Sequence, residues 1–226
     1  MKRRLLLLVL LPVLCGQTPS RLSRITFARG EIFVTHAGET KPAESGQILY
    51  HDDMIRTGKD SYAEVMVQNV GVFRLAENSE LKLEELQSKD KTIIRLDKGK
   101  AGFFLLKIPS KEQVQVRLPT AVAGVRGTNF LVSAEKGSKV ALFGGAVQME
   151  DTAKKSVVID KPGEITLKAG ESLANKKVEK LSAESIADMK KLEEMLPLNL
   201  QSVPQDPGRM NQTDLDAPQG SDLKKP

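Results

Sequence analysis

The side chains best suited to chemistry are few and scattered. His36 and His51 are the only two histidines, and a catalytic or metal-binding role would need a nucleophile or further ligands at fixed spacing from them. No G-x-S-x-G turn, H-E-x-x-H pair or G-x-x-x-x-G-K-[ST] phosphate loop is present. The adjacent carboxylates of Asp52 and Asp53 could attract a cation, but neighbours on an extended strand point to opposite faces, so a shared site is not expected. Glu84-Glu85 and Glu193-Glu194 read as solvated charges. The single cysteine, Cys15, cannot close an intramolecular disulfide, and with two histidines it falls short of a structural zinc set. The expectation is a protein that is not an enzyme and holds no cofactor and no metal.

Two short segments carry turn chemistry. In Asp53-Met54-Ile55-Arg56-Thr57-Gly58 the Asp53 carboxylate and the Thr57 hydroxyl can accept backbone N–H bonds, and Gly58 permits positive φ. In Gly124-Val125-Arg126-Gly127-Thr128-Asn129-Phe130 the glycines admit a tight corner, Thr128 can bond the backbone, and Phe130 alternates into a core. Arg126 is the polar residue there whose fork suits a carboxylate or phosphate; a structural pair with an acid such as Asp53 is the other use. Both segments are expected to be mainly structural.

What must position these segments is read from pattern. The chain has 226 residues, 40% hydrophobic and 28% charged, enough for a real core. Three charges of the net +5 sit in Lys2-Arg3-Arg4, which leaves the remainder near neutral and gives no reason to expect a nucleic-acid partner. Those basic residues precede the apolar run Leu5–Leu14. As a helix this run would cover only about 15 Å of roughly 30 Å of hydrocarbon, so residues 1–14 read as an export signal, not a span. Cys15 follows at once. In Leu11-Pro12-Val13-Leu14-Cys15 the cysteine resembles that of a bacterial lipobox and would carry lipid, although Leu14 departs from the small residue usual before it. Ordinary cleavage near Ser20 is the alternative.

Residues 15–28 read as a linker, and from 29 to 181 short apolar runs with period-two alternation recur about every ten residues between turn signals. In Tyr62–Gln68, Ala63, Val65 and Val67 read as the core face, and Tyr62, Glu64, Met66 and Gln68 as the opposite one. The expected class is all-β: a solenoid or roll of many short strands, or else a β-sandwich. One amphipathic helix is expected over 182–196, capped by Ser182, with Glu184 in its first turn and Ile186, Met189, Leu192 and Leu196 as its buried stripe. Residues 197–226 hold five of the eleven prolines and read as a disordered tail.

Three stretches taken in order resemble the FecR domain, a module of bacterial cell-envelope regulators. They are Gly46–Gly58, ending in Asp53-Met54-Ile55-Arg56-Thr57-Gly58; the run from Ala63 through Leu83; and Val122–Val132, which contains Val125-Arg126-Gly127-Thr128-Asn129-Phe130. The resemblance covers about residues 29 to 175 and implies a β fold in the envelope. Membrane-spanning regulators of the family carry a cytoplasmic anti-sigma segment and a transmembrane helix before the domain. Neither precedes residue 29, so sigma-regulating activity is not carried over.

Two function classes follow. One is a non-catalytic binding or interaction module of the cell envelope, lipid-anchored through Cys15, facing periplasm or cell surface, with an envelope protein or cell-wall polymer as partner. The other is a component of an envelope signal relay.

Overall fold

The computed structural model describes residues 22–86, 91–106, 113–125 and 127–195. In chain order the first strands are β1 (Ser23–Arg29), β2 (Ile32–His36), β3 (Glu39–Pro42), β4 (Ile48–Leu49), β5 (Met54–Thr57) and β6 (Tyr62–Val67). Next come β7 (Gly71–Leu75), β8 (Glu80–Glu85), β9 (Lys91–Lys98), β10 (Lys100–Leu105), β11 (Gln113–Arg117) and β12 (Ala121–Val125). The last are β13 (Asn129–Ser133), β14 (Ser138–Gly144), β15 (Val147–Asp151), β16 (Ser156–Ile159) and β17 (Gly163–Leu167), followed by helix α1 (Ala183–Glu194).

The strands form two sheets, an eight-stranded one in the order β17-β14-β13-β10-β7-β6-β1-β4 and a nine-stranded one in the order β16-β15-β12-β11-β9-β8-β5-β2-β3. They face each other across one core. Ile25, Val65, Phe73, Phe103, Phe130 and Val140 of the first sheet meet Ile55, Leu81, Ile94, Val116, Ala123 and Met149 of the second. Cross-strand register puts Phe103 beside both Phe73 and Phe130, with ring centroids 5.0 and 4.9 Å away. Such aromatic pairs, tilted for Phe73–Phe103 and stacked for Phe103–Phe130, add about 0.5–1.5 kcal/mol each beyond area burial.

The arrangement is sandwich-like, which corrects the expectation of a solenoid. A solenoid stacks successive coils as parallel strands, whereas every ladder among the described strands is antiparallel except β9 with β11. Hairpins are the reason. Asn69, at φ +62°, reverses the chain between β6 and β7, as Asn does at low cost in left-handed backbone.

Other expectations change at particular residues. The chain is already strand at Ser23, inside the stretch 15–28 read as linker, because Ser23 and Ile25 both point into the core. Gly124 and Val125, read as part of a corner, are the last two residues of strand β12. Tyr62, Glu64 and Met66 are as buried as the core face of β6, since α1 and neighbouring side chains cover that side.

Ser182 caps α1, its hydroxyl accepting from Ser185 N–H at 3.2 Å, and Glu184 lies in the first turn. Met189 and Leu192 pack on Tyr62, Phe104, Leu131 and Ala141, each burial contributing about 1.5–3 kcal/mol. Gly102 seats the helix: a Cβ there would fall 3.1 Å from Leu192 Cδ1. Ile186 is half exposed, contrary to the expected stripe, and Ser185 takes the inward place. The cause is polar, because Glu164 on β17 accepts from Ser182 N–H and Oγ–H at 3.2 Å each and fixes the helix's rotation. No helix among the described residues is long and apolar enough to cross a membrane. Cys15, Leu196 and the proposed tail 197–226 lie outside the described residues.

Candidate functional site

The Asp53–Gly58 segment is tied by hydrogen bonds to the turns at both ends of β5. Asp53 is buried, with Oδ2 accepting from Tyr50 N–H at 2.8 Å and Oδ1 lying 2.5 Å from His36 Nδ1. Its neighbour Asp52 points elsewhere, to Lys82 at 2.6 Å and His51 at 3.1 Å; the Lys82 hydrogen bond draws its pKa down. The Thr57 hydroxyl donates to the Ala76 carbonyl at 2.6 Å and accepts from Ser79 N–H at 2.9 Å, binding β5 to the loop before β8. Gly58 is not at positive φ, contrary to the expectation. Its smallness is what counts, since a Cβ would fall 2.9 Å from Glu31 Oε2 and 3.1 Å from Glu31 Cβ.

The Gly124–Phe130 segment is split between core and surface. Gly127 sits at φ +61° and turns the chain from one sheet to the other, and Phe130 is fully buried. Thr128 is buried too. Its hydroxyl has no partner among the described residues, so the expected backbone bond from this side chain is not made. A Cβ on Gly145 would come within 2.5 Å of the Thr128 methyl, which shows that the methyl group fills the corner. Arg126 lies outside the described residues.

The strand before this corner enters a groove. An open trough of about 740 Å3 runs over the outer face of β9, β11, β12, β15 and β16. Ladder register sets Gln115, Gly124, Gln148 and Val158 in one row across four strands. Gly124 interrupts that row: a Cβ built there meets only the Gln148 carbonyl, at 3.8 Å. A notch therefore lies between two glutamine side chains, with no hydrogen bond to either amide among the described residues. The charged residues of the lining are Lys91, Arg117 and Lys154 against Glu150. Glu84, read as simply solvated, is instead held between Arg95 at 3.0 Å and Arg117 at 2.7 Å. This binds β8, β9 and β11 along the groove's flank.

The family model described as FecR protein matches residues 53–148. These residues are a FecR domain. Two crystal structures of a "putative anti-sigma factor" from Parabacteroides distasonis ATCC 8503 share its fold, each with a TM-score of 0.50 and 16% identity, over 59% of this chain and 62% of theirs. The chain thus spans less than two thirds of the length of those relatives. No curated protein matches.

Within the FecR domain, the structure separates Asp53, Thr57 and Gly58, at the two ends of β5, from Gly127, Thr128 and Phe130, at and just before the start of β13, so the motif residues do not converge on one centre. The groove residues Gln115, Gly124 and Gln148 were not singled out by sequence reasoning except for Gly124. A signal existed in Gln113-Val114-Gln115-Val116-Arg117, whose polar positions alternate outward on a strand. No group of three or more metal-ligating side chains occurs among the described residues.

Proposed function

We propose that the protein is a non-catalytic regulatory module of the cell envelope that relays a signal by binding another protein. Residues 1–14 export it and lipid on Cys15 holds it to a membrane. The observation that carries this reading is the division of the Val122–Phe130 stretch of the FecR domain. Its second half builds the core, while Val122 and Gly124 floor an open groove. The fold shared with the Parabacteroides protein, whose name speaks of an anti-sigma factor, supports a place in signalling over a purely structural role.

The groove suits an extended protein segment. Gln115 and Gln148 stand two strands apart, about 9–10 Å, close to three residues of extended chain. Their amides complement a peptide's N–H and C=O groups. Of the lining cations, Arg117 is paired with Glu84 and Lys154 with Glu150, which leaves Lys91 to favour an acidic residue on the partner. A photo-crosslinking residue placed at Gln115 or Gln148 in growing cells tests this. One envelope protein should be captured from both positions and not from Ile186 on α1. Capture of the same set from Ile186, or capture of glycan alone, contradicts the reading.

A further inference from the structure

Six large apolar side chains stand exposed among the described residues, and three of them, Leu22, Ile48 and Tyr50, share one place. β1 pairs with β4 so that Ser23 lies opposite Leu49 and Arg24 opposite Ile48. Continued by one residue, that register sets Leu22 against Tyr50. Ser23 and Leu49 are buried, so alternation turns Leu22, Arg24, Ile48 and Tyr50 to the other side. Leu22, Ile48 and Tyr50 are 40%, 50% and 54% exposed.

The patch is held in place. Leu22 N–H donates to Gln68 Oε1 at 3.3 Å, and its carbonyl accepts from Gln68 N–H at 2.8 Å. Tyr50 N–H donates to Asp53, and its ring rests 5.2 Å from that of His36. An aromatic ring, two aliphatic side chains and one arginine are thereby fixed on a single face.

We propose that this face lies against a lipid bilayer, with Tyr50 at headgroup depth, Leu22 and Ile48 reaching below it and Arg24 beside the phosphates. Amphipathic rings favour that depth, and apolar area combined with a cation favours an anionic lipid surface. The inference rests on the anchoring proposed above. Leu22 follows Cys15 by seven residues, a tether of at most about 25 Å. Folded domains are wider than that, with radii of gyration near 13 Å at about 100 residues, so no second protein fits between an anchored Cys15 and this face. The same placement directs the groove outward. β4 ends one side of the eight-stranded sheet, whereas β16, at the groove, ends the opposite side of the nine-stranded sheet.

The chain contains no tryptophan, so Tyr50→Trp introduces a single reporter and Val158→Trp a control in the groove. Full-length protein from the membrane fraction is reconstituted into phosphatidylethanolamine and phosphatidylglycerol vesicles with brominated acyl chains. The Tyr50→Trp protein should lose most of its emission relative to unbrominated vesicles, and the Val158→Trp protein should lose none. Adding Ile48→Asp to Tyr50→Trp should restore emission while the protein stays on the vesicles. Bound protein with equal emission from both reporters overturns the face while leaving the anchor standing. Protein that does not float with vesicles overturns both.

Discussion

The Arg74 guanidinium, wholly buried near the end of β7, donates to the carbonyl of Leu192 at 2.6 Å, across 118 residues of chain. It also donates to the Glu193 carbonyl at 2.9 Å and, through Nε, to Glu64 at 2.7 Å. Phe104 lies under its plane at 5.3 Å. A sheet residue thus caps the C-terminal end of α1, where carbonyls lack helical partners and a cation is favoured. Glu64 is held in turn by the Thr26 hydroxyl at 2.6 Å.

Removing that cation leaves Glu64 and two helix carbonyls buried without it. Arg74→Met should therefore cost about 3–5 kcal/mol. The double variant Arg74→Met with Glu64→Gln should cost less than the single one, because no uncompensated charge remains. Equilibrium denaturation of the three proteins reads this directly.

Lys100 supports the same helix through Asp188 at 2.7 Å and Glu184 at 3.1 Å. Burial alone would pull its pKa down, but these hydrogen bonds outweigh burial and raise it.

The corner at Gly127 should register in stability. A side chain forced to φ +61° costs about 1–3 kcal/mol, so Gly127→Val should lower the melting temperature. Gly145→Val should do the same, since its Cβ would strike Thr128. Gly124→Arg should leave the melting temperature unchanged, because Gly124 has ordinary backbone and open space beside it. Thermal unfolding of the three variants separates the two kinds of glycine.

Much of this was legible in sequence and some of it was not. Alternation in Tyr62–Gln68 located β6, and Ser182 announced the helix start. What alternation could not tell was that Tyr62 and Glu64 face a helix more than a hundred residues later instead of water, and that Met66 is covered by Val72 and Leu106. The charges hinted at it: Glu64 and Arg74 sit inside apolar runs and lie directly opposite in the β6–β7 ladder. Gly58 was misjudged because close approach to Glu31 and positive φ leave the same mark in a sequence, a required glycine. The groove escaped because glutamines on alternating positions mark any solvent face, and only the pairing of β11, β12 and β15 sets Gly124 as a notch between two of them.

Acid should weaken the fold at identifiable carboxylates. Asp151 accepts from Leu173 N–H, Lys155 N–H, Ala153 N–H and the Ser172 hydroxyl, each at 2.9 Å. These bonds, Leu173's first, hold its pKa below the ordinary value. A depressed carboxylate contributes stability that is complete above its unfolded pKa of about 4 and lost as pH falls through the folded one. Glu184, lowered chiefly by Lys100, acts in the same direction. Asp151→Asn should therefore melt lower near neutrality and lose less than the parent between about pH 6 and about pH 3. Melting curves across that range provide the check.

Lipid on Cys15 predicts a defined mature terminus. Mass spectrometry of membrane-fraction protein should show Cys15 as the first residue with acyl mass added, and Cys15→Ser should move the protein out of that fraction. A soluble form beginning at Arg21 contradicts the anchor.

The proposed relay requires that the partner sit in the groove. The measurement is titration of the crosslinked envelope protein, purified, against the parent chain and Gly124→Arg. Gly124→Arg should bind at least about tenfold more weakly, equivalent to about 1.4 kcal/mol, with an unchanged melting temperature. Equal affinity from parent and Gly124→Arg would contradict it.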